Sequence, residues 1–334
     1  MSSSSSFPAA LQWLARLAIA LSLLCAVGLA GLYHFGPARS GWAELLRYVP
    51  FLLYTAPAAL ALLLSLALGW WWRLGALLAL ALMATAVMDL RLGLGRTDLP
   101  PDAPGTRTVR FMTYNIKSYR AVFKAGGFVP LNNEIEQHQP DILVMQDARE
   151  VSRVGDLPYG MRAVLPKHKL YAYGQYAVAS RFPISGCAPF DMSLKDEKSD
   201  YVRCTVDIDG TRIDLVTAHL LTPREGLNAT REERLGGLDD WSGNFADRLS
   251  QAERITAALT PLKRPTIVAG DLNAPEHSVV VGRFLDLGLR DAFSAGGIGW
   301  GFTHGHSFKP GVSFLRIDHI LVSPDIGVRD AWVD

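Results

Sequence analysis

Long charge-free runs constrain this chain more than any other feature. Leu17–Phe35 and Tyr48–Trp72 carry no formal charge, and Leu74–Met88 is equally apolar until it meets Asp89 and Arg91. A run of this length needs either a lipid environment or a large protein core around it. Each of the first two is long enough to cross about 30 Å of hydrocarbon at about 1.5 Å per residue. The spacing predicts about three transmembrane helices, roughly 12–34, 48–69 and 74–93. Trp70, Trp71, Trp72 and Arg73 form the link between the second and third, a composition that suits the headgroup layer. A buried helical bundle is the competing reading. A cleaved signal peptide ending near Leu29-Ala30-Gly31 would explain the first run but not the two later ones.

Three spans place the termini on opposite sides of a membrane. With the amino terminus inside, Arg16 and Arg73 flank the inner side, and Arg39, Arg47, Arg91 and Arg96 the outer. That count leans towards a cytoplasmic carboxy-terminal domain without settling the side. Ser2–Ser6 reads as a flexible tail. Leu99-Pro100-Pro101-Asp102-Ala103-Pro104-Gly105 breaks any helix and reads as a boundary. The expected division is a membrane region over 1–98, a linker over 99–107 and a globular domain over 108–334. The net charge of +1 supplies no global basic field for nucleic acid. Three cysteines are too few for a disulfide scaffold. Cys25 lies in an apolar run, so Cys187 and Cys204 are the plausible pair, and the redox compartment stays open.

After the boundary, short β-type runs alternate with helical stretches. Strands are expected at Val109–Ile116, Asp141–Gln146, Ala177–Ser180, Val202–Ile208, Arg212–His219, Thr266–Ala269 and Arg316–Val322. Asp209-Gly210 is a hairpin signal. Helices are expected at Glu134–His138 and Leu249–Leu262, with loops at Lys117–Leu131 and Thr222–Asp247. Hairpins mixed with helical crossovers suggest two packed mixed sheets with helices outside. Several strands end in reactive polar residues: Asn115, Asp147, His219, Asp271 with Asn273, and Asp318. In Gly270-Asp271-Leu272-Asn273 the period of two sets Asp271 and Asn273 side by side at a strand end. One such end is an ordinary turn; five point to a cleft at one sheet edge.

In order, Thr113-Tyr114-Asn115-Ile116, Leu143-Val144-Met145-Gln146-Asp147, Ser180-Arg181-Phe182-Pro183-Ile184, Ala218-His219-Leu220, Gly270-Asp271-Leu272-Asn273 and Arg316-Ile317-Asp318-His319-Ile320 cover most of residues 108–334. This ordered set resembles the endonuclease/exonuclease/phosphatase superfamily. The apolar third resembles that of bacterial members with a few amino-terminal spans, which implies a multi-pass protein of the inner (cell) membrane. The resemblance implies a four-layer α/β sandwich of the deoxyribonuclease I type. It implies a metal-dependent phosphoesterase using Mg²⁺ or Mn²⁺. It places Asn115 and Asp147 at the metal, and His219 on the scissile phosphate. It has Asp271 and Asn273 positioning the attacking water and phosphate oxygens, and Asp318 orienting a histidine. Taken alone, Asn115 reads as a strand-end amide, His219 as a satisfied core histidine and Asp318 as an ion-pair partner of Arg316 or Arg203. Ser180 and Arg181 read as braces.

The chain departs from the family pattern twice. Asp147 stands where the family has glutamate, which draws the carboxylate back by roughly 1.5 Å; Glu150 is a candidate substitute. The sequence stops at Asp334 without the usual Ser-Asp-His motif and final strand. Nearby histidines are His304, His306 and His319, and His319 lies on the opposite strand face from Asp318. An incomplete sequence, an altered site and a weak catalyst all fit. Three functions follow: a membrane-anchored phosphoesterase, a non-catalytic member using the fold for binding, and a nuclease acting on DNA. Near-neutral charge disfavours the nuclease. A membrane anchor favours a lipid phosphate ester as substrate.

Overall fold

The computed structural model describes residues 8–36, 40–49, 51–93, 106–194, 198–305 and 313–334. The serine tail, Arg39, Arg96, the Leu99–Gly105 boundary and His306 lie outside the described residues.

The apolar third forms α1 (Ala9–Phe35), α2 (Gly41–Leu46), α3 (Phe51–Ser65) and α4 (Trp70–Leu82), with a π-helical turn over Met83–Val87 and a two-residue β1 (Arg91–Leu92). Helices therefore stand where the three charge-free runs predict them. Two of them, Ala9–Phe35 and the continuous Trp70–Val87, are long and apolar enough to cross a membrane. The middle helix is shorter than expected: its 15 residues reach about 22 Å. Only 17% of the apolar window of α1 is buried inside the protein. Leu21, Leu24, Leu63 and Leu66 all point outward. Where the helices meet one another, small residues let them approach: Ala15, Ala26, Ala61, Ala76 and Ala79 are buried.

The remainder opens with β2 (Phe111–Asn115), α5 (Ser118–Ala121), α6 (Val129–His138), β3 (Ile142–Gln146), α7 (Arg149–Val154) and α8 (Met161–Val164). Strands β4 (Lys169–Tyr173), β5 (Tyr176–Ser180), β6 (Ile184–Asp191), β7 (Asp200–Ile208) and β8 (Thr211–His219) follow. Then come α9 (Arg224–Glu233), α10 (Leu238–Leu259), β9 (Thr266–Asp271), α11 (Val279–Leu285), β10 (Arg290–Asp291), α12 (Ala292–Gly296), β11 (Ile298–Gly299) and β12 (Asp318–Val322).

Two sheets carry the domain, ordered β10-β12-β9-β8-β7-β6 and β2-β3-β5-β4. Strands β3, β5 and β9 are buried along their whole length, as their continuous apolar runs require. Asp209 and Gly210 both take left-handed backbone angles in the β7–β8 turn, as a tight hairpin demands. Cys187 and Cys204 form a disulfide between β6 and β7. One core lies between the sheets, from Val144 and Val178 to Leu215 and Ile267. A second packs Phe245, Leu249 and Ile255 of α10 onto Val216 and Val268. A third packs Ile135, Val151 and Met161 onto Leu143 and Ala177. Helix, sheet, sheet and helix make four layers, the α/β sandwich of the deoxyribonuclease I type.

The two sheets also share a polar contact in their dry seam. Gln146 is fully buried, and its amide donates to Thr217 on β8 at 3.0 Å and to Thr113 on β2 at 3.2 Å. The Thr222–Asp247 stretch, expected as a loop, is instead α9 and the first half of α10. Trp241 and Phe245 continue the buried stripe of Leu249, Ala252 and Ile255. The Lys117–Leu131 stretch likewise holds α5 and the start of α6.

Candidate active site

Strand register builds the site. β8 and β9 run parallel with His219 opposite Asp271, and β12 runs antiparallel to β9 with Asp318 opposite Asp271. Three reactive side chains therefore stand in one row across one sheet. In the other sheet Asn115 pairs with Gln146, so Asn115 and Asp147 end neighbouring parallel strands. The row and the pair meet: Asn115 Nδ2 donates to Asp271 Oδ2 at 3.0 Å. His219 Nε2 lies 3.7 Å from Asp271 Oδ2, and His219 Nδ1 lies 3.8 Å from Asp147 Oδ1.

Local backbone chemistry fixes each member. Gly270 sits at φ +150°, and a Cβ there would fall 2.0 Å from the Ala218 carbonyl oxygen, so only glycine lets the strands close up beside Asp271. Asp147 is left-handed at φ 51°, with its carbonyl held by the Ser118 amide at 2.9 Å and hydroxyl at 2.6 Å. Asn273 is also left-handed, at φ 49°. Its amide N–H donates to Asp271 Oδ1 at 3.0 Å, and its side-chain Nδ2 donates to the Leu220 carbonyl at 2.8 Å. Asn273 thus leaves the strand instead of standing beside Asp271, and one of its donors is committed to the backbone. Its left-handed turn replaces the simple alternation that the sequence suggested.

His219 is oriented by residues that sequence reasoning missed. Gln175 Oε1 accepts from His219 Nδ1 at 2.8 Å, the tautomer this partner selects, and leaves Nε2 facing Asp271. The Tyr176 hydroxyl accepts from the His219 amide at 3.0 Å and donates to the Asp200 carbonyl at 2.6 Å. A Gly174-Gln175 turn after a strand carries no signal of this role.

Asp318 faces Asp271, not Arg316 or Arg203. Burial and the Asp271 carboxylate push its carboxyl well above the usual range, while the Thr303 hydroxyl and the Lys117 charge pull the other way. Arg316 turns to the far side of the same segment. There Nη1 donates to both oxygens of Asp291 at 2.8 Å, and Nη2 meets Glu276 and lies 3.5 Å from Asp89. His319 joins that far cluster, 3.2 Å from Asp291 Oδ2 and 2.8 Å from the Ala274 carbonyl. It lies on the face opposite Asp318, as strand alternation requires.

Glu150 is paired with Arg153, its Oε2 3.0 Å from Arg153 Nε. Ser180 is fully buried and accepts from the Phe182 amide at 3.0 Å, and Arg181 pairs with Asp141 at 3.0 Å. Glu134 and His138 of α6, with Asp334 beside them, form a separate group of potential ligands, joined by ion pairs from His138 to each carboxylate.

The donor set fits a hard divalent cation. Asp147, Asp271, Asp318 and Asn115 offer oxygen atoms, and Asp271 and Asp318 face each other on neighbouring strands. No sulfur is in the set.

Among curated proteins the sequence has no match. Solved structures with similar folds include truncated TDP2 from Caenorhabditis elegans, at 20% identity and a TM-score of 0.46 over 66% of this chain and 85% of that one. An AP endonuclease from Archaeoglobus fulgidus aligns at 17% identity and a TM-score of 0.45, over 66% of this chain and 88% of that one. A mannosyl-6-phosphatase from Bacteroides thetaiotaomicron aligns at 16% and 0.42, over 65% and 86%. The family model described as Endonuclease/Exonuclease/phosphatase family matches residues 112–334, and the chain belongs to that family.

Proposed function

We propose that this chain is a membrane-anchored phosphoesterase that hydrolyses a phosphodiester or phosphomonoester with a divalent cation, Mg²⁺ or Mn²⁺. The observation that carries the reading is the convergence of Asn115, Asp147, His219 and Asp271 from four separate segments. Asn115, Asp147 and the Asp271–Asp318 pair would hold the cation. When bound, it would neutralise charge on the phosphoryl oxygens and lower the pKa of a bound water. His219, held through Nδ1 by Gln175, would in its doubly protonated form offer a second N–H, on Nε2, to a phosphate oxygen and stabilise charge that grows in the transition state. Asp271 accepts from Asn115 and from the Asn273 amide, which fixes its carboxylate to orient a water.

The outward-facing leucines of α1 and α3 support the anchor. We read residues 1–98 as that anchor and 108–334 as the catalytic domain. The Tyr48 hydroxyl reaches the Asn273 carbonyl at 2.7 Å, three residues before α3 begins. The cleft thus lies close to the ends of the apolar helices, and this favours a lipid phosphate ester over DNA. The Cys187–Cys204 disulfide favours an oxidising compartment for the catalytic domain. Arg47 and Arg91, counted earlier for the opposite side, are held in ion pairs with Glu44 and Glu276.

The test is Mg²⁺- or Mn²⁺-dependent hydrolysis of bis-(p-nitrophenyl) phosphate, a phospholipid and DNA by the full chain. Turnover that needs the metal supports the reading. A folded protein that turns over none of the three overturns it.

A further inference from the structure

Residues Leu272–Ser278 link β9 to α11 and carry Asn273. Two points of this link are gripped by the segment between α1 and α3. Tyr48, 6% exposed, donates its hydroxyl to the Asn273 carbonyl at 2.7 Å. Glu44, fully buried, accepts from the Ser278 hydroxyl, and Ser278 in turn caps α11 by accepting from the Val280 amide at 3.1 Å.

The segment is docked closely enough to hold that grip. Trp241 Nε1 on α10 donates to the Gly41 carbonyl at 2.5 Å. A Cβ on Gly41 would lie 2.2 Å from Ser242 Oγ, so the first turn of α2 sits directly on α10. The Tyr48 ring meets Trp241 edge to face at 5.1 Å, and the buried Arg248 guanidinium lies 5.5 Å from the Tyr48 ring and 5.6 Å from the Trp241 ring.

We propose that Tyr48 is a positioning residue of the active site. The inference rests on the phosphoesterase reading for its catalytic consequence. The chain of contacts is short. Tyr48 holds the Asn273 carbonyl, the left-handed Asn273 presents its amide to Asp271 Oδ1, and Asp271 meets Asn115 and His219. Asparagine tolerates left-handed angles better than most side chains, but how tightly it keeps them depends on the contacts that hold it. Releasing the carbonyl on one side of Asn273 therefore loosens the backbone angles that aim the N–H on its other side at the Asp271 carboxylate. The helical third completes the site from behind as well as anchoring it.

The test is Tyr48→Phe in the full chain, which keeps the ring against Trp241 and Arg248 and removes only the hydroxyl. In the variant, backbone amides of residues 270–278 exchange hydrogen faster by mass spectrometry, while those of β3 and β5 are unchanged. With bis-(p-nitrophenyl) phosphate and Mg²⁺, kcat falls about tenfold, the scale of one lost hydrogen bond, and KM stays the same. Unchanged exchange over 270–278 overturns the proposal, as does an active wild type whose kcat the substitution leaves intact. A wild type without turnover, but with faster loop exchange in the variant, defeats the phosphoesterase reading and leaves Tyr48 holding the link.

Discussion

Two polar clusters flank the short segment Arg316–His319, and their charge balance differs. On one side Arg316, with Arg91 and His319 beside it, meets Asp89, Glu276 and Asp291, so that each buried carboxylate has a cationic partner. On the other side Asp318, Asp271 and Asp147 gather with His219 and Asn115, and carboxylate faces carboxylate. In the first cluster two arginines serve three carboxylates. In the second, burial and the neighbouring Asp271 push the Asp318 carboxyl well above its usual range, so the facing pair relieves its repulsion by favouring a proton where the first uses arginine. Sequence alternation alone separates them: Asp318 and His319 are neighbours on opposite faces of one strand.

The contrast sets the order of its tests. Chelation with EDTA should abolish hydrolysis, and added Mg²⁺ or Mn²⁺ should restore it; hydrolysis that survives chelation breaks the distinction outright. Asp271→Asn should lower kcat about 10³-fold, as loss of a charge-positioning group does. In EDTA the same variant should melt no lower than wild type, because it relieves the facing carboxylates. Arg316→Met should behave in the opposite sense. It leaves Asp291 buried without an arginine, and Asp89 and Glu276 with Arg91 alone, and should cost about 3–5 kcal/mol by denaturant titration. A small loss there would mean the far cluster is not held by its charge balance.

Acid should act on the arginine side. Burial pushes the His277 imidazole down to about 4, against the pull of Asp89 at 3.9 Å. The folded pKa is below the unfolded one, so the unfolded chain binds the extra proton between the two values. Stability from this group is therefore complete above pH 6.5 and declines as pH falls towards 4, by up to about 3 kcal/mol. His277→Gln should flatten that part of a stability-against-pH profile; an unaltered profile removes His277 as its cause. The smallest effect belongs to the His219 tether. Gln175→Leu should lower kcat about tenfold with little change in melting, because it frees the imidazole without opening a core.

The site was legible where chemistry coincides with strand periodicity. Gly270-Asp271 marks a strand end whose close packing demands glycine, and Asn115 and His219 end strands that run parallel to a neighbour. The contacts that position these residues were not legible. Gln175 meets His219 across 44 positions and Tyr48 meets Asn273 across 225, and neither separation leaves a local pattern. The expected helix begins at Leu249, although Trp241 and Phe245 stand at the same helical spacing and extend its stripe by two turns; the charged and glycine residues between them mask it. The apolar third was legible as helices, but the reach of α3 was not, since its 15 helical residues end before its apolar run does.

Gln146 has a mechanical consequence. Its amide ties Thr113 in its own sheet to Thr217 in the other, just beneath the strand ends that carry Asn115 and His219. Each such bond is worth about 1 kcal/mol, so this buried side chain biases the register of the two sheets without locking it.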